Sequence, residues 1–330
     1  MFKVKFFKFF CLLGLLMAIS TPSISGGLFD LLESWGGDEF TKKTEVVYVE
    51  GDKNASDEIL LIKINGVISE TEEEGPLDLK KDIIENIKKE VKLALKREKI
   101  KAILLEINSP GGEVTTCDII YHQLLKIKDA KKPIVALIGT IGASGGYYIA
   151  CAADKIMAHP TSIIGSIGVL MQGFNIEKLA NVIGIKDVTI KSLNTPKKDI
   201  LSPFREMTPE EKKMLTGIVD FMYNRFVEIV AKARGKSSKE ITPLADGSIF
   251  SSSEAQKNGL IDSIGYRDEA IEEVLELSNL KSAKLVKRKI KKNVIQLFNE
   301  FADMNSSIKK VLALLESSLS GKTQMKLMLE

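Results

Sequence analysis

The sequence predicts an α/β fold of repeated strand–helix units, on three observations. Short continuous apolar runs at 59–64, 102–107, 133–138 and 155–158 have the length of buried strands. Segments with apolar residues at mostly helical spacing alternate with them, at 82–97, 114–128 and 144–153. Turn residues close the strands: Asn65-Gly66, then Asn108-Ser109-Pro110-Gly111-Gly112, then Gly142-Ala143-Ser144-Gly145-Gly146. This alternation means parallel strands, whose ligands gather at the carboxyl ends, so the two glycine-rich turns are expected to meet at one edge.

In chain order, the first segment reads as an export signal. Lys3, Lys5 and Lys8 precede an apolar stretch that runs to Ile19, and small residues Ser23 and Ser25 suit cleavage before Gly26. Counted from Phe6 to Ile24, the stretch approaches the ~20 residues of a spanning helix, so residues 1–25 read as a signal peptide or a retained N-terminal anchor. Either way the remainder is expected outside the cytoplasm. Residues 26–56 read as a juxtamembrane linker, with an amphipathic pattern around the single tryptophan, Trp35, that could lie on a membrane surface.

Residues 57–275 carry the strand–helix alternation and read as the catalytic domain. After these units, 188–192 reads as a further strand, with Lys198 in the loop that follows. Thr208 then caps a long helix at 209–232 whose wide apolar face suggests burial. Residues 276–330 form a basic and helical extension. Its basic run Lys281, Lys284, Lys287, Arg288, Lys289, Lys291 and Lys292 reads as a solvated face or a contact with anionic lipid.

Composition narrows the function classes. The net charge of +3 is a small difference between 47 basic and 44 acidic residues, which gives no field for nucleic acid. Three cysteines make no disulfide framework, and Cys117 and Cys151 fall in apolar helical patterns where free thiols are buried. Neither CxxC nor HExxH occurs, so no metal is expected.

The chemistry centres on Ser144, which opens a helix ahead of two glycines. A serine there exposes its hydroxyl beside free backbone N–H groups, as acyl transfer requires. The N–H of Gly145 and the side-chain-free backbone of Gly111 and Gly112 could bind a developing oxyanion. The same text would also suit a capped helix packed closely on a strand. With only His122 and His159 in the chain, both poorly placed, a lysine is the expected base. A free lysine is protonated at neutral pH, and lowering its pKa by about three units costs roughly 4 kcal/mol, which desolvation can supply.

Six motifs taken together, Ser109-Pro110-Gly111-Gly112, Gly142 to Tyr148, Ala152 to Ile156, Gly165 to Val169, Lys198 to Arg205, and Ala245-Asp246-Gly247, resemble those of the signal peptide peptidases of family S49. The resemblance spans 58–274. It implies a crotonase- or Clp-protease-like fold, with Ser144 as nucleophile, Lys198 as general base, Ser166 orienting the lysine, and Gly112 with Gly145 as the oxyanion hole. Lys197 is a competing base, because the segment before Lys198 is slightly longer than the family pattern. The resemblance also implies no metal or organic cofactor, peptide substrates, namely remnant signal peptides, and a place on the inner membrane with the catalytic domain on its extracytoplasmic side. This chain carries one copy of the domain, and single-copy members resemble ring-like homo-oligomers whose sites are shared between adjacent subunits. The competing readings are a crotonase-type hydratase or isomerase, which needs no nucleophile and no export signal, and a scaffold without catalysis.

Overall fold

The computed structural model describes residues 44–70 and 83–290. The expected signal segment, most of the linker, the acidic stretch beyond Glu70 and the C-terminal helical tail lie outside the described residues. Residues Val46–Arg288 form one compact unit.

Among the described residues, nine strands make one sheet. They are β1 (Thr44–Gly51), β2 (Glu58–Asn65), β3 (Ile100–Ser109), β4 (Ile134–Ala143), β5 (Lys155–Ala158), β6 (Ile163–Gly165), β7 (Ile249–Ser251), β8 (Ser263–Ile264) and β9 (Lys284–Ile290). Their order is β1-β9-β2-β3-β4-β5-β8, with β6 on β4 and β7 on β6. All pairs from β9 through β8 are parallel, and β6–β7 alone among the pairs with a defined register is antiparallel.

The continuous apolar character of β2 to β4 follows from burial on both faces. Leu60, Ile62, Ile64, Ile103, Leu105 and Ile107 enter one core, together with residues of α1 (Ile83–Lys96), α2 (Val114–Asp129) and α3 (Gly145–Ala150). The alternate residues Ile59, Leu61, Leu104, Val135 and Leu137 enter a second core, covered by Ala270 and Val274 of α8 (Arg267–Leu277). Between α3 and α8 lie α4 (Glu177–Val182), α5 (Pro209–Arg234), α6 (Ser238–Ile241) and α7 (Ser252–Lys257). The α/β class and its repeated strand–helix units are as the sequence predicts.

Two expectations need correction. Residues 188–192 form no strand, because Val188 and Ile190 face solvent and no neighbouring strand offers them hydrogen bonds. The long helix α5 is not buried along its length. Only its second half, with Phe226, Val227, Ile229 and Val230, enters the core, while Met214, Ile218 and Phe221 are exposed. The structure also adds strands at the two ends of the unit, since β1 occupies the end of the expected linker and β9 lies in the expected extension.

Candidate active site

The carboxyl ends of β2, β3, β4 and β6 converge, and each delivers one of the expected residues or its support. Ser144 follows β4 and is the residue preceding α3. Its backbone takes φ 50° and ψ −122°, a left-handed conformation for a residue with a side chain. Such strain costs about 1–3 kcal/mol and persists only where surrounding contacts over-determine it. Here the Ser144 N–H donates to the Gly165 carbonyl at 2.8 Å, and its carbonyl accepts from Tyr148 N–H at 2.9 Å. The residues on either side, Ala143 and Gly145, are buried, whereas Ser144 itself is half-buried.

The turn after β3 packs directly on this strained residue. A methyl group on Gly111 would lie 2.7 Å from Gly145 N and 2.8 Å from Ser144 Cβ, and one on Gly145 would lie 3.2 Å from Gly112 N. Only glycine permits this approach. The Ser109 hydroxyl, fully buried, accepts from Gly111 N–H at 3.1 Å and holds the turn. On its other side, Gly112 forms a parallel bridge with Ile68, in which Ile68 N–H donates to Gly111 O and Glu113 N–H donates to Ile68 O. That pattern turns the Gly112 N–H away from Ile68. Gly145 is the first residue of α3, so its N–H has no acceptor within the helix. Two amides are thus left beside one hydroxyl, an arrangement able to stabilise negative charge on an attacked carbonyl oxygen.

Ser166 joins the same edge. Gly165 pairs in register with Ala143, so Ser166 and Ser144 leave adjacent strand ends side by side. Ser166 also has a positive φ, 49°, and its N–H donates to Ser248 O at 2.7 Å. The structure therefore brings together Ser144, Ser166, Gly112 and Gly145.

Lys198 is placed differently. It lies in a run of turns at 193–204, exposed to solvent, and its N–H donates to Thr195 O at 3.1 Å. Among the described residues, its amine makes no hydrogen bond or ion pair, and no lysine amine bonds to Ser144 or Ser166. Lys197 is exposed in the same turns. His159 packs edge-on against Tyr266, and His122 is exposed on α2. The stretch that carries Lys198, residues 169–207, is largely exposed, including Phe174, Val182, Ile190 and Leu193.

Several supporting residues are silent in the sequence. Ile68 docks its backbone on the Gly112 turn, and the Glu113 carboxylate fixes that segment by accepting from Ser69 Oγ, Glu70 N–H and Thr116 Oγ1. These hydrogen bonds hold its carboxyl below the usual carboxylate range. Cys117 lies under Gly145, where a methyl group would come within 2.3 Å of its sulfur. Burial first, then Glu113 and Asp118, push its thiol up to about 12, so it is an inert packing group and not a rival nucleophile. Cys151 is also free and buried. Tyr148, four residues after Ser144, donates to Asp118 Oδ1 at 2.5 Å, and Arg225 donates to the same oxygen, tying α3 to α2 and α5. Of these, only Tyr148 sits within a motif.

Known proteins with similar sequences identify the family. The profile of peptidase family S49 matches residues 126–281, and that of Clp protease matches residues 65–181. A protein of Enterococcus faecium named "Putative signal peptide peptidase SppA" is 34% identical over 255 residues, 77% of this chain and 72% of that protein. Protease 4 of Salmonella typhi is 36% identical over 183 residues, 56% of this chain and 29% of its own length. "Serine protease SPPA, chloroplastic" of Arabidopsis thaliana is 30% identical over 226 residues, 68% of this chain and 33% of its own. The chain belongs to peptidase family S49 and is a serine endopeptidase built on a Clp-protease-like α/β fold.

Proposed function

We propose that this peptidase works with a Ser144–Lys198 dyad completed between subunits of a homo-oligomer, and that it degrades signal peptides left at the membrane after release from their precursors. The observation that carries the reading is the strained Ser144 seated against the Gly111-Gly112 turn. In this mechanism an extended peptide lies along the sheet edge with its scissile carbonyl over Ser144. The Ser144 hydroxyl attacks the carbonyl carbon and passes its proton to the neutral Lys198 amine, while the oxyanion accepts from Gly112 and Gly145 N–H. Collapse expels the amine product, which takes the proton back from Lys198. Water then repeats the cycle on the acyl-enzyme, and Ser166 keeps the lysine amine aimed at Ser144.

Two features support completion by a neighbour. Lys198 belongs to an exposed segment with no bond to Ser144, and that segment presents Leu170, Phe174, Val182, Ile190 and Leu193 together with Met214, Ile218 and Phe221 of α5. Apolar exposure on that scale marks an interaction surface. A docked neighbour would both cover it and desolvate the amine. Placement at a membrane rests on the N-terminal apolar stretch; among the described residues no helix is long and apolar enough to cross one.

The test is active-site labelling with a serine-reactive fluorophosphonate, scored by mass spectrometry, in wild type and Lys198→Ala. Wild type should be modified at Ser144, and the variant should lose labelling and peptide cleavage together. Peptidase activity should rise into alkaline pH as the base loses its proton. A Lys198→Ala enzyme that still cleaves moves the base to Lys197 or elsewhere.

A further inference from the structure

We propose that Arg205 is a positioning residue for the base: by gripping Asp199 and Glu211 together it fixes the turns that present Lys198 and neutralises the carboxylate next to it. The inference rests on the reading of Lys198 as the base. Turns at 193–204 have neither helix nor strand to hold them, so their shape depends on side-chain contacts. Arg205 supplies most of these. Its Nε and Nη2 donate to the two Asp199 carboxylate oxygens at 3.0 and 3.1 Å, and Nη2 also reaches the Asp199 carbonyl at 3.1 Å. Its Nη1 and Nη2 donate to both Glu211 oxygens at 2.8 and 2.7 Å, and Nη1 to Glu206 O at 3.0 Å. Such planar, two-sided recognition suits a guanidinium and is beyond a lysine.

Both ends of this clamp are anchored. Glu211 is buried in the first turn of α5 and accepts from Thr208 N–H while Thr208 Oγ1 accepts from Glu211 N–H, so the clamp is tied to the helix start. On the other side, Lys191 Nζ donates to Pro196 O at 2.7 Å and to Asp199 Oδ1 at 2.5 Å, bracing the turn that leads into Lys198. Asn175 Nδ2 donates to Arg205 O at 3.1 Å, and Ile176 N–H to Pro203 O at 2.7 Å, which attach the far side of the turns to the residues before α4.

The cluster is also balanced in charge. Asp199 and Glu211 face Arg205 and Lys191, two of each sign, with Lys197, Lys198, Glu206 and Glu210 adjoining in sequence. Arg205, then Lys191, hold the Asp199 carboxyl well below its usual range, so it stays charged at neutral and alkaline pH. An unpaired carboxylate beside an amine favours the ammonium form, which cannot accept a proton. Arg205 therefore both shapes the turns and keeps Asp199 from opposing the base.

The experiment is the pH profile of kcat/KM on the assembled full chain for Arg205→Gln, Arg205→Lys, Asp199→Asn and the Arg205→Gln/Asp199→Asn pair. Arg205→Gln should move the rising limb upward by about half to one pH unit, a three- to tenfold loss below the limb, and should also lower the alkaline plateau as the turns that present Lys198 loosen. Adding Asp199→Asn should return the limb toward wild type, and Arg205→Lys should fall between. A purely structural role would lower the plateau and leave the limb in place, and that result overturns the proposal. If Arg205→Gln fails to assemble, Asp199→Asn decides: a limb at or below the wild-type position supports the proposal, and one that moves upward refutes it. Loss of activity in Lys198→Ala with an unmoved limb in Arg205→Gln sinks this inference alone, whereas an active Lys198→Ala sinks the base assignment beneath it.

Discussion

The ends of β3 and β4 and the segment 169–207 hold the two halves of one proposed dyad in opposite ways. Around Ser144, almost every neighbour is buried and every turn is fixed by backbone bonds from two sides, so a strained φ is maintained without help from another molecule. Around Lys198, apolar side chains face solvent, Leu193 at 97% and Ile190 at 94%, and order comes from one guanidinium cluster. Under the proposed mechanism, the nucleophile is prepared within a subunit, while the base waits on a surface that a neighbour would cover. A peptidase that worked as proposed would have a built-in check, because an unassembled subunit would hold a hydroxyl without a base.

The comparison is broken most severely at Gly112. A methyl group there would sit 1.9 Å from Ile68 O, so Gly112→Ala must push apart the turn and the 66–70 segment. Loss of a well-placed oxyanion donor lowers kcat by roughly 10²–10³-fold, and peptide-cleavage kinetics should show a fall of that size with a reduced unfolding temperature. Next comes the exposed side. On the proposed homo-oligomer, Ile190→Glu with Leu193→Glu should weaken assembly by about thirtyfold or more and reduce activity in parallel, read by native mass spectrometry and kinetics at matched concentrations. The unfolding free energy of the isolated subunit should change by less than about 0.5 kcal/mol, because these side chains pack on nothing within it. A variant that loses activity but assembles normally would separate the two halves of the argument.

A smaller effect is expected at Tyr148→Phe. The ring, packed edge-on against Tyr121 and tilted against Phe226, is kept, but the hydrogen bond to Asp118 is lost. Urea unfolding should report a loss of about 1–2 kcal/mol, with activity lowered only a few fold. The smallest change is acid release of the Lys198 turns. Arg205 first, then Thr208, hold the Glu211 carboxyl down to about 2 from 4.5, and a folded-state pKa below the unfolded value gives stability that is full above about 4.5 and is lost as pH falls toward 2. Amide exchange at 195–211 should therefore accelerate across that window while the Ser144 turn stays protected. Equal acceleration at both would mean that the two regions are not held independently.

Much of the inner structure is legible in the chain. The apolar runs that become β2 to β5 and the helical spacing of α1 and α2 encode burial directly, and glycine at 111, 112 and 145 announces close backbone approach. The reading of 188–192 as a strand fails because an apolar run states only that a surface wants cover, without saying whether a strand or a neighbouring molecule supplies it. The same ambiguity misled the reading of α5, whose apolar face is continuous while its burial covers only the second half. Strand β1 escaped notice because it forms the edge of the sheet, where charged residues are tolerated, and β9, which lies between β1 and β2, because Lys284, Lys287, Arg288 and Lys289 mask its few apolar residues.

By itself the sequence determined the α/β class, the strand-to-helix turns and the residue types available for acyl transfer, since these depend on local spacing and on which residues tolerate a given backbone. Only the tertiary structure decided that Ile68 and Glu113 would brace the Gly112 turn, that Ser166 would stand beside Ser144, and that Arg205 would grip two carboxylates. Those contacts join segments far apart in the chain, and their energies depend on distance and burial, which no local pattern of residues specifies.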